Sequence, residues 1–253
     1  MQIKYSEHPD GTSLAYRHHS ASEQQQDQPG LLFLPGYGSD MDGTKATQIL
    51  TWAQEQGLQV TLMDYGGHGH SSGRFTEGTL GQWMDHARHI LETITSGAQI
   101  LVGSSMGGWI MLLLALEFPQ RLCGLMGLAT ATDFTSRLIQ PSLTAQQKQD
   151  LESKGEMILN YSSLPMTQHF LEESVNHLLL ETARLGKIIC PVTLIHGLQD
   201  SVVPWQESCQ LQQELGSDLV TVILLKQGDH RLSDSQSLDM IIDHLERFYA
   251  GNL

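Results

Sequence analysis

Short, mostly apolar runs recur along the chain, at residues 31–34, 60–63, 100–102, 122–129, 192–195 and 220–225. They show little polar alternation, which is the signature of strands buried on both faces. Segments of helical periodicity lie between them. Residues 44–56 read as a helix stopped by Gly57, and Thr79 caps a helix in which Leu80, Trp83, Met84, Ala87, Ile90, Leu91 and Ile94 share one face. Residues 106–117 form an apolar helix ending near Pro119, Pro204 opens another, and 238–249 make the last. Residues 3–6 and 13–17 predict an opening hairpin around Asp10-Gly11. Alternating strand and helix predict a mostly parallel sheet covered on both faces.

The alternation stops after residue 129. Residues 133–187 are more polar and contain no clear strand. Thr144 and Gln147 have capping-box spacing, and Phe170, Leu171, Val175, Leu178 and Leu179 fit one helical face. The expectation is a single domain over 1–253 with a small helical cap inserted at about 133–187.

With 253 residues the chain can bury a core without a disulfide or metal staple. A net charge of −14 argues against nucleic acid and anionic lipid as partners. Cys123, Cys190 and Cys209 are odd in number and lack metal-ligand spacing, so they read as reduced thiols. The start has no basic segment followed by an apolar run, and the apolar run at 109–116 is too short to span a bilayer. These features predict a cytoplasmic protein with no transmembrane segment.

The chemistry centres on Gly103-Ser104-Ser105-Met106-Gly107, a G-x-S-x-G motif between an apolar strand and an apolar helix. A nucleophile elbow needs that setting, because the turn is too sharp for side chains at its flanks. Ser105 is the predicted nucleophile, and Ser104 falls one residue early. A serine hydroxyl needs a base. On this fold the chain order is serine, acid, histidine, which selects His230 after the last strand and Asp200 after the preceding one. Asp133 is the fallback acid, and His196 reads as a structural hydrogen-bonding residue. Two backbone N–H groups, of Met106 and of Tyr37 in the Pro35-Gly36-Tyr37-Gly38 turn, are the predicted oxyanion hole. Gly38, Met41, Phe134 and Leu138 are candidate substrate contacts. His68, His70 and Asp64 lack a third-ligand pattern, and neither G-x-G-x-x-G nor G-K-[ST] is present, so neither a metal nor a nucleotide cofactor is expected.

The stretches Phe33-Leu34-Pro35-Gly36-Tyr37, Gly43-Thr44-Lys45-Ala46, Thr79-Leu80-Gly81, Ile100 through Trp109, Val203-Pro204-Trp205 and Asp229-His230-Arg231 resemble the α/β-hydrolase superfamily. Within it they resemble the mitochondrial palmitoyl-protein thioesterases that also cleave mycophenolic acid acyl-glucuronide. The resemblance covers nearly the whole chain. It implies an α/β-hydrolase fold and hydrolysis of acyl esters or thioesters by Ser105, Asp200 and His230, with S-acylated proteins among the candidate substrates. Two readings stand beside it: an acyltransferase using the same three residues, and a non-catalytic binding protein on this fold.

Overall fold

The computed structural model describes residues 1–159 and 162–251. Its centre is an eight-stranded sheet. In chain order the strands are β1 (Lys4–Glu7), β2 (Ser13–His19), β3 (Gly30–Leu34), β4 (Val60–Met63), β5 (Gln99–Ser104), β6 (Leu122–Leu128), β9 (Val192–Gly197) and β10 (Val220–Leu225). The short pair β7 (Glu156–Ile158) and β8 (Pro165–Thr167) stands apart as its own hairpin. The sheet order is β1-β2-β4-β3-β5-β6-β9-β10. Only β2 runs against the rest, since it pairs antiparallel with both neighbours while every other pairing but theirs is parallel. β3 and β5 are neighbours whose connections leave in opposite directions, β3 to β4 on one side and β5 to β6 on the other. A crevice therefore opens at their carboxyl ends, where such sheets place their sites.

Helices cover both faces. The helices α1 (Thr44–Glu55) and α8 (Ser235–Ala250) pack over one face, where Ile49, Trp52, Ile241 and Leu245 join Leu31, Val60 and Ile100. On the other lie α2 (Leu80–Thr93) and α3 (Met106–Glu117), with Trp83, Ile90, Trp109 and Leu112 against Leu32, Leu101 and Leu125. The helix α3 is buried from Met106 through Ala115, as expected of a helix that is apolar all round. Thr79 caps α2 by accepting the Gln82 N–H, as its spacing predicts.

The segment between β6 and β9 departs from the expected all-helical cap. A π-helical turn at Thr135–Ile139 runs into the short α4 (Gln140–Ser142), and α5 (Ala145–Lys154) follows behind the predicted Thr144–Gln147 capping box. The β7–β8 hairpin comes next, then α6 (Gln168–Ser174). Three-residue strands are too short to show a period, so the sequence concealed the hairpin. The segment packs on the α2–α3 side, with Met157, Met166, Phe170 and Leu179 in that core. The last helix before β10 is α7 (Gln206–Glu214). Among the described residues no helix is long and apolar enough to cross a membrane.

Candidate active site

Ser105 sits between the end of β5 and the start of α3 with φ 53° and ψ −119°. A non-glycine residue there carries strain of about 1–3 kcal/mol. The surroundings hold it: the Ser105 N–H donates to Leu128 O at 2.9 Å, and its own carbonyl accepts the N–H groups of Gly108 (2.9 Å) and Ala131 (3.1 Å). The flanking glycines are required by contact. A Cβ on Gly107 would lie 2.1 Å from Leu34 O, and one on Gly103 would lie 2.5 Å from Gly107 O.

His230 comes from the loop after β10 and Asp200 from the loop after β9. His230 Nε2 lies 3.1 Å from Ser105 Oγ, and His230 Nδ1 lies 2.7 Å from Asp200 Oδ2. A carboxylate only accepts, so Nδ1 carries the proton and Nε2 turns a lone pair toward the hydroxyl. The Asp200 side chain is 0% exposed. Oδ1 accepts the N–H groups of Val202 and Val203, each at 2.8 Å, and Oδ2 also accepts from His196 Nε2 at 3.1 Å. Burial alone would raise the Asp200 pKa, but the bonds from His196, His230 and Val203 outweigh it and hold the carboxyl well below its ordinary range. His196 is fully buried and faces two acceptors with Nε2, Asp200 and Val203 O, while Nδ1 meets the Ser208 hydroxyl at 2.7 Å. It steadies the acid, in keeping with its structural reading.

The loop after β3 lies over the nucleophile. A Cβ on Gly36 would come 3.2 Å from Ser105 Cβ. Tyr37 follows, and its hydroxyl donates to Pro165 O at 2.6 Å, tying this loop to the β7–β8 hairpin. Met106 opens α3, so its N–H is one that the helix itself cannot pair. The Gly38 N–H donates to His68 Nε2 at 3.1 Å, which puts the imidazole proton on Nδ1, toward Gly66 O. Burial pushes His68 down to about 4, so it is neutral across the physiological range.

A cavity of about 410 Å³ opens above Ser105 and His230. Its apolar wall includes Phe134, Leu138, Ile139, Leu159 and Leu164, and its polar rim includes Lys45, Asp229 and Arg231. The predicted contacts Gly38, Phe134 and Leu138 line it. Met41 does not: it is 0% exposed in the α1-side core, with its N–H on Asp64 Oδ1 at 2.7 Å. An apolar residue following a site loop cannot be assigned to pocket or core from sequence. Leu159 and Leu164 were missed because they belong to the unseen hairpin. The fallback acid Asp133 points elsewhere, accepting the N–H groups of Leu179 and Leu180 where the segment returns to the sheet. Burial raises its pKa to about 6.

The remaining candidate ligands are engaged in the scaffold. Asp64 accepts the His70 N–H at 2.9 Å, and His70 Nε2 meets Asp42 at 2.6 Å. Among the described residues, His8, Asp10 and His86 bring ligand atoms within 4.8 Å of one another. The Gly66 N–H donates to His86 Nδ1 at 3.1 Å, so Nε2 keeps the proton that it gives Asp10. A metal-bound imidazole needs its proton on the other nitrogen, and this cluster is a hydrogen-bonded brace between the first hairpin and α2.

The family described as "Serine aminopeptidase, S33" matches residues 26–157. The mitochondrial palmitoyl-protein thioesterase ABHD10 of Rattus norvegicus is 36% identical over 247 residues, covering 95% of this chain and 80% of that protein. The structure of mouse alpha/beta hydrolase domain-containing protein 10 superposes with a TM-score of 0.88 at 33% identity, covering 97% of each chain. A putative hydrolase from Agrobacterium vitis S4 gives a TM-score of 0.88 at 33% identity, covering 98% of this chain and 100% of the other.

Proposed function

The chain belongs to the α/β-hydrolase family and is a hydrolase of esters or thioesters, and from that premise we propose that it releases apolar acyl groups, fatty acyl thioesters foremost, through an acyl-enzyme on Ser105. The observation that carries this reading is the chain of contacts from Ser105 Oγ to His230 (3.1 Å) and from His230 to Asp200 (2.7 Å), directly beneath the cavity.

In this mechanism His230 Nε2 takes the Ser105 proton as Oγ attacks the acyl carbonyl. The oxygen gains charge facing the N–H groups of Met106 and Tyr37, with the α3 N-terminus adding its positive field. Asp200 stabilises the imidazolium that forms. His230 then gives the proton to the departing thiol or alcohol, the C–S or C–O bond breaks, and the acyl group remains on Oγ. Water, deprotonated by His230, attacks the ester, and free acid leaves as Ser105 recovers its proton.

The segment at about 133–187 is read as a cap over one hydrolase domain, closing the cavity with Leu138, Ile139, Leu159 and Leu164. A volume of about 410 Å³ falls within the roughly 300–1,000 Å³ of small-molecule pockets. The aliphatic side of its wall, Leu138, Ile139, Leu159 and Leu164, favours an acyl chain as one occupant, opposite a polar rim that suits the rest of the substrate. The rat relative is named a palmitoyl-protein thioesterase, which makes S-acylated proteins the first substrates to try. The relatives' names also put them in mitochondria, so the cytoplasmic expectation is not carried forward. The free cysteines suit a reducing compartment.

Intact-mass analysis during turnover of a palmitoyl thioester tests the proposal. A transient palmitoyl adduct that maps to the Ser105 peptide is expected. Turnover without an adduct, or an adduct elsewhere, contradicts it.

A further inference from the structure

The mechanism gives no role to Lys45, one of the two cations on the rim of the cavity. Lys45 lines the cavity from the second position of α1. That end of the helix carries the positive pole of the macrodipole, so an ammonium there opposes the helix rather than supporting it. The side chain is half-buried. Burial pushes its pKa down to about 8, with Asp229 opposing the shift and Arg231 adding to it. No ion pair to Lys45 forms among the described residues; its Nζ donates to the backbone carbonyl of Arg231, the residue after His230.

The loop carrying His230 is held firmly on its upstream side. Gly228 O accepts the Gln199 N–H at 2.9 Å, and the Gly228 N–H donates to Leu225 O at 3.1 Å. Gly197 and Gly228 pack so closely that a Cβ on Gly197 would meet Gly228 O at 2.1 Å. Downstream the chain turns sharply. The Asp229 carboxylate accepts the N–H groups of Arg231 (2.9 Å) and Leu232 (3.0 Å), and Leu232 is held at φ 47°. A leucine at positive φ tends to relax unless its neighbours prevent it. The Arg231 carbonyl lies within this turn; it accepts from the Ser233 hydroxyl at 3.1 Å, which belongs to the same loop, and from Lys45 Nζ, which ties the turn to α1.

We propose that Lys45 is a positioning residue: by holding the Arg231 carbonyl it fixes the downstream half of the His230 loop and so keeps His230 Nε2 within reach of Ser105 Oγ. The inference rests on His230 being the general base. Lys45 touches neither substrate nor reacting atoms in this role. It acts by removing the loop's freedom to carry the imidazole away from the hydroxyl, a displacement to which turnover is steeply sensitive.

The test measures kcat and KM on an acyl thioester, with the rate of Ser105 labelling by a fluorophosphonate, in K45M, K45R, K45A and an H230A control. K45M keeps the aliphatic stem and loses the donor. Its kcat should fall about tenfold to a hundredfold, with KM within twofold and labelling slowed in parallel. K45R restores a donor and should recover most of the rate. K45A should regain kcat as ethylamine is added, with no gain from sodium chloride at equal ionic strength. The inference is overturned if K45M keeps kcat within twofold of wild type. It is equally overturned if all three variants lose activity alongside thermal stability and ethylamine restores nothing. Wild-type turnover in H230A would instead contradict the assignment of His230 as the base.

Discussion

Replacing Asp200 with asparagine probes the acid through hydrogen-bond arithmetic. The carboxylate accepts from Val202 and Val203 on Oδ1 and from His230 and His196 on Oδ2. An amide offers one acceptor oxygen and one NH₂ group, so one of these pairs must lose its acceptor. If the oxygen keeps the two backbone N–H groups, the NH₂ faces both imidazoles. His230 can then accept only through Nδ1, which moves its proton to Nε2 and aims it at Ser105, where a lone pair is needed. If the amide is reversed, its NH₂ faces the Val202 and Val203 N–H groups in a site that is 0% exposed. Leaving a buried donor unpaired costs about 1–3 kcal/mol. The first orientation keeps the fold and removes the base, so D200N should lower kcat about 10⁴-fold, or roughly 5.5 kcal/mol of barrier. KM should change little. Stopped-flow release of thiol, with labelling of Ser105 by a fluorophosphonate as an independent measure, reads both. D133N is the comparison: its carboxylate serves Leu179 and Leu180, so kcat should stay within about tenfold of wild type. A D200N enzyme within tenfold of wild type, or a D133N enzyme as impaired as D200N should be, would refute the reasoning.

Other expected outcomes bear on the walls of the site. His68 titrates near 4 when folded and near its ordinary value of about 6.5 when unfolded. The unfolded chain therefore binds the proton first, and the stability gained from neutral His68 is present above about 6.5 and lost toward 4, on the order of 3 kcal/mol in total. H68Q, whose amide oxygen can still accept the Gly38 N–H, should flatten urea stability between those pH values; an unchanged slope would count against the assignment. Tyr37 grips the hairpin through Pro165 O, so Y37F should lose about 0.5–1.5 kcal/mol in thermal melts, with KM for long-chain substrates raised more than kcat is lowered. Leu164 packs on Gly38, where a Cβ would meet its Cδ1 at 2.0 Å. L164A should open that wall and shift preference toward longer or bulkier acyl chains in a competition assay, whereas an unchanged chain-length profile would remove Leu164 from the acyl wall.

Some features were legible in the sequence for physical reasons. A parallel sheet buried on both faces needs apolar runs, so β3, β4, β5, β6 and β9 stand out, as does α3. A sharp βα turn needs glycine where Leu34 O and Gly107 O approach, so the elbow stands out too. Chain order on this topology then selects Asp200 and His230, the two residues that the structure brings into hydrogen-bond contact with each other and with Ser105. The segment between β6 and β9 was only partly legible. Thr144 and Gln147 announced their helix, but β7 and β8 are held by contacts to distant residues such as Tyr37 and leave no period of their own. Met41 and Leu164 show the same gap from both sides. Both are apolar and adjoin loops, yet Met41 turns into the core and Leu164 turns onto Gly38, a choice made by tertiary packing. Lys45 lies in one of the stretches that carry the family resemblance, but its link to the His230 loop was not legible there, because the Arg231 carbonyl it meets lies far along the chain.

The central claim is that Ser105 carries the acyl group in turnover, and the most direct measurement is hydrolysis of matched acyl esters and thioesters over a chain-length series by wild type and S105A. The account predicts turnover of long-chain thioesters by wild type and loss of that turnover in a folded S105A. Equal turnover in S105A would contradict the role of Ser105, and turnover confined to short oxygen esters would leave Ser105 in place while contradicting the fatty acyl thioester as substrate.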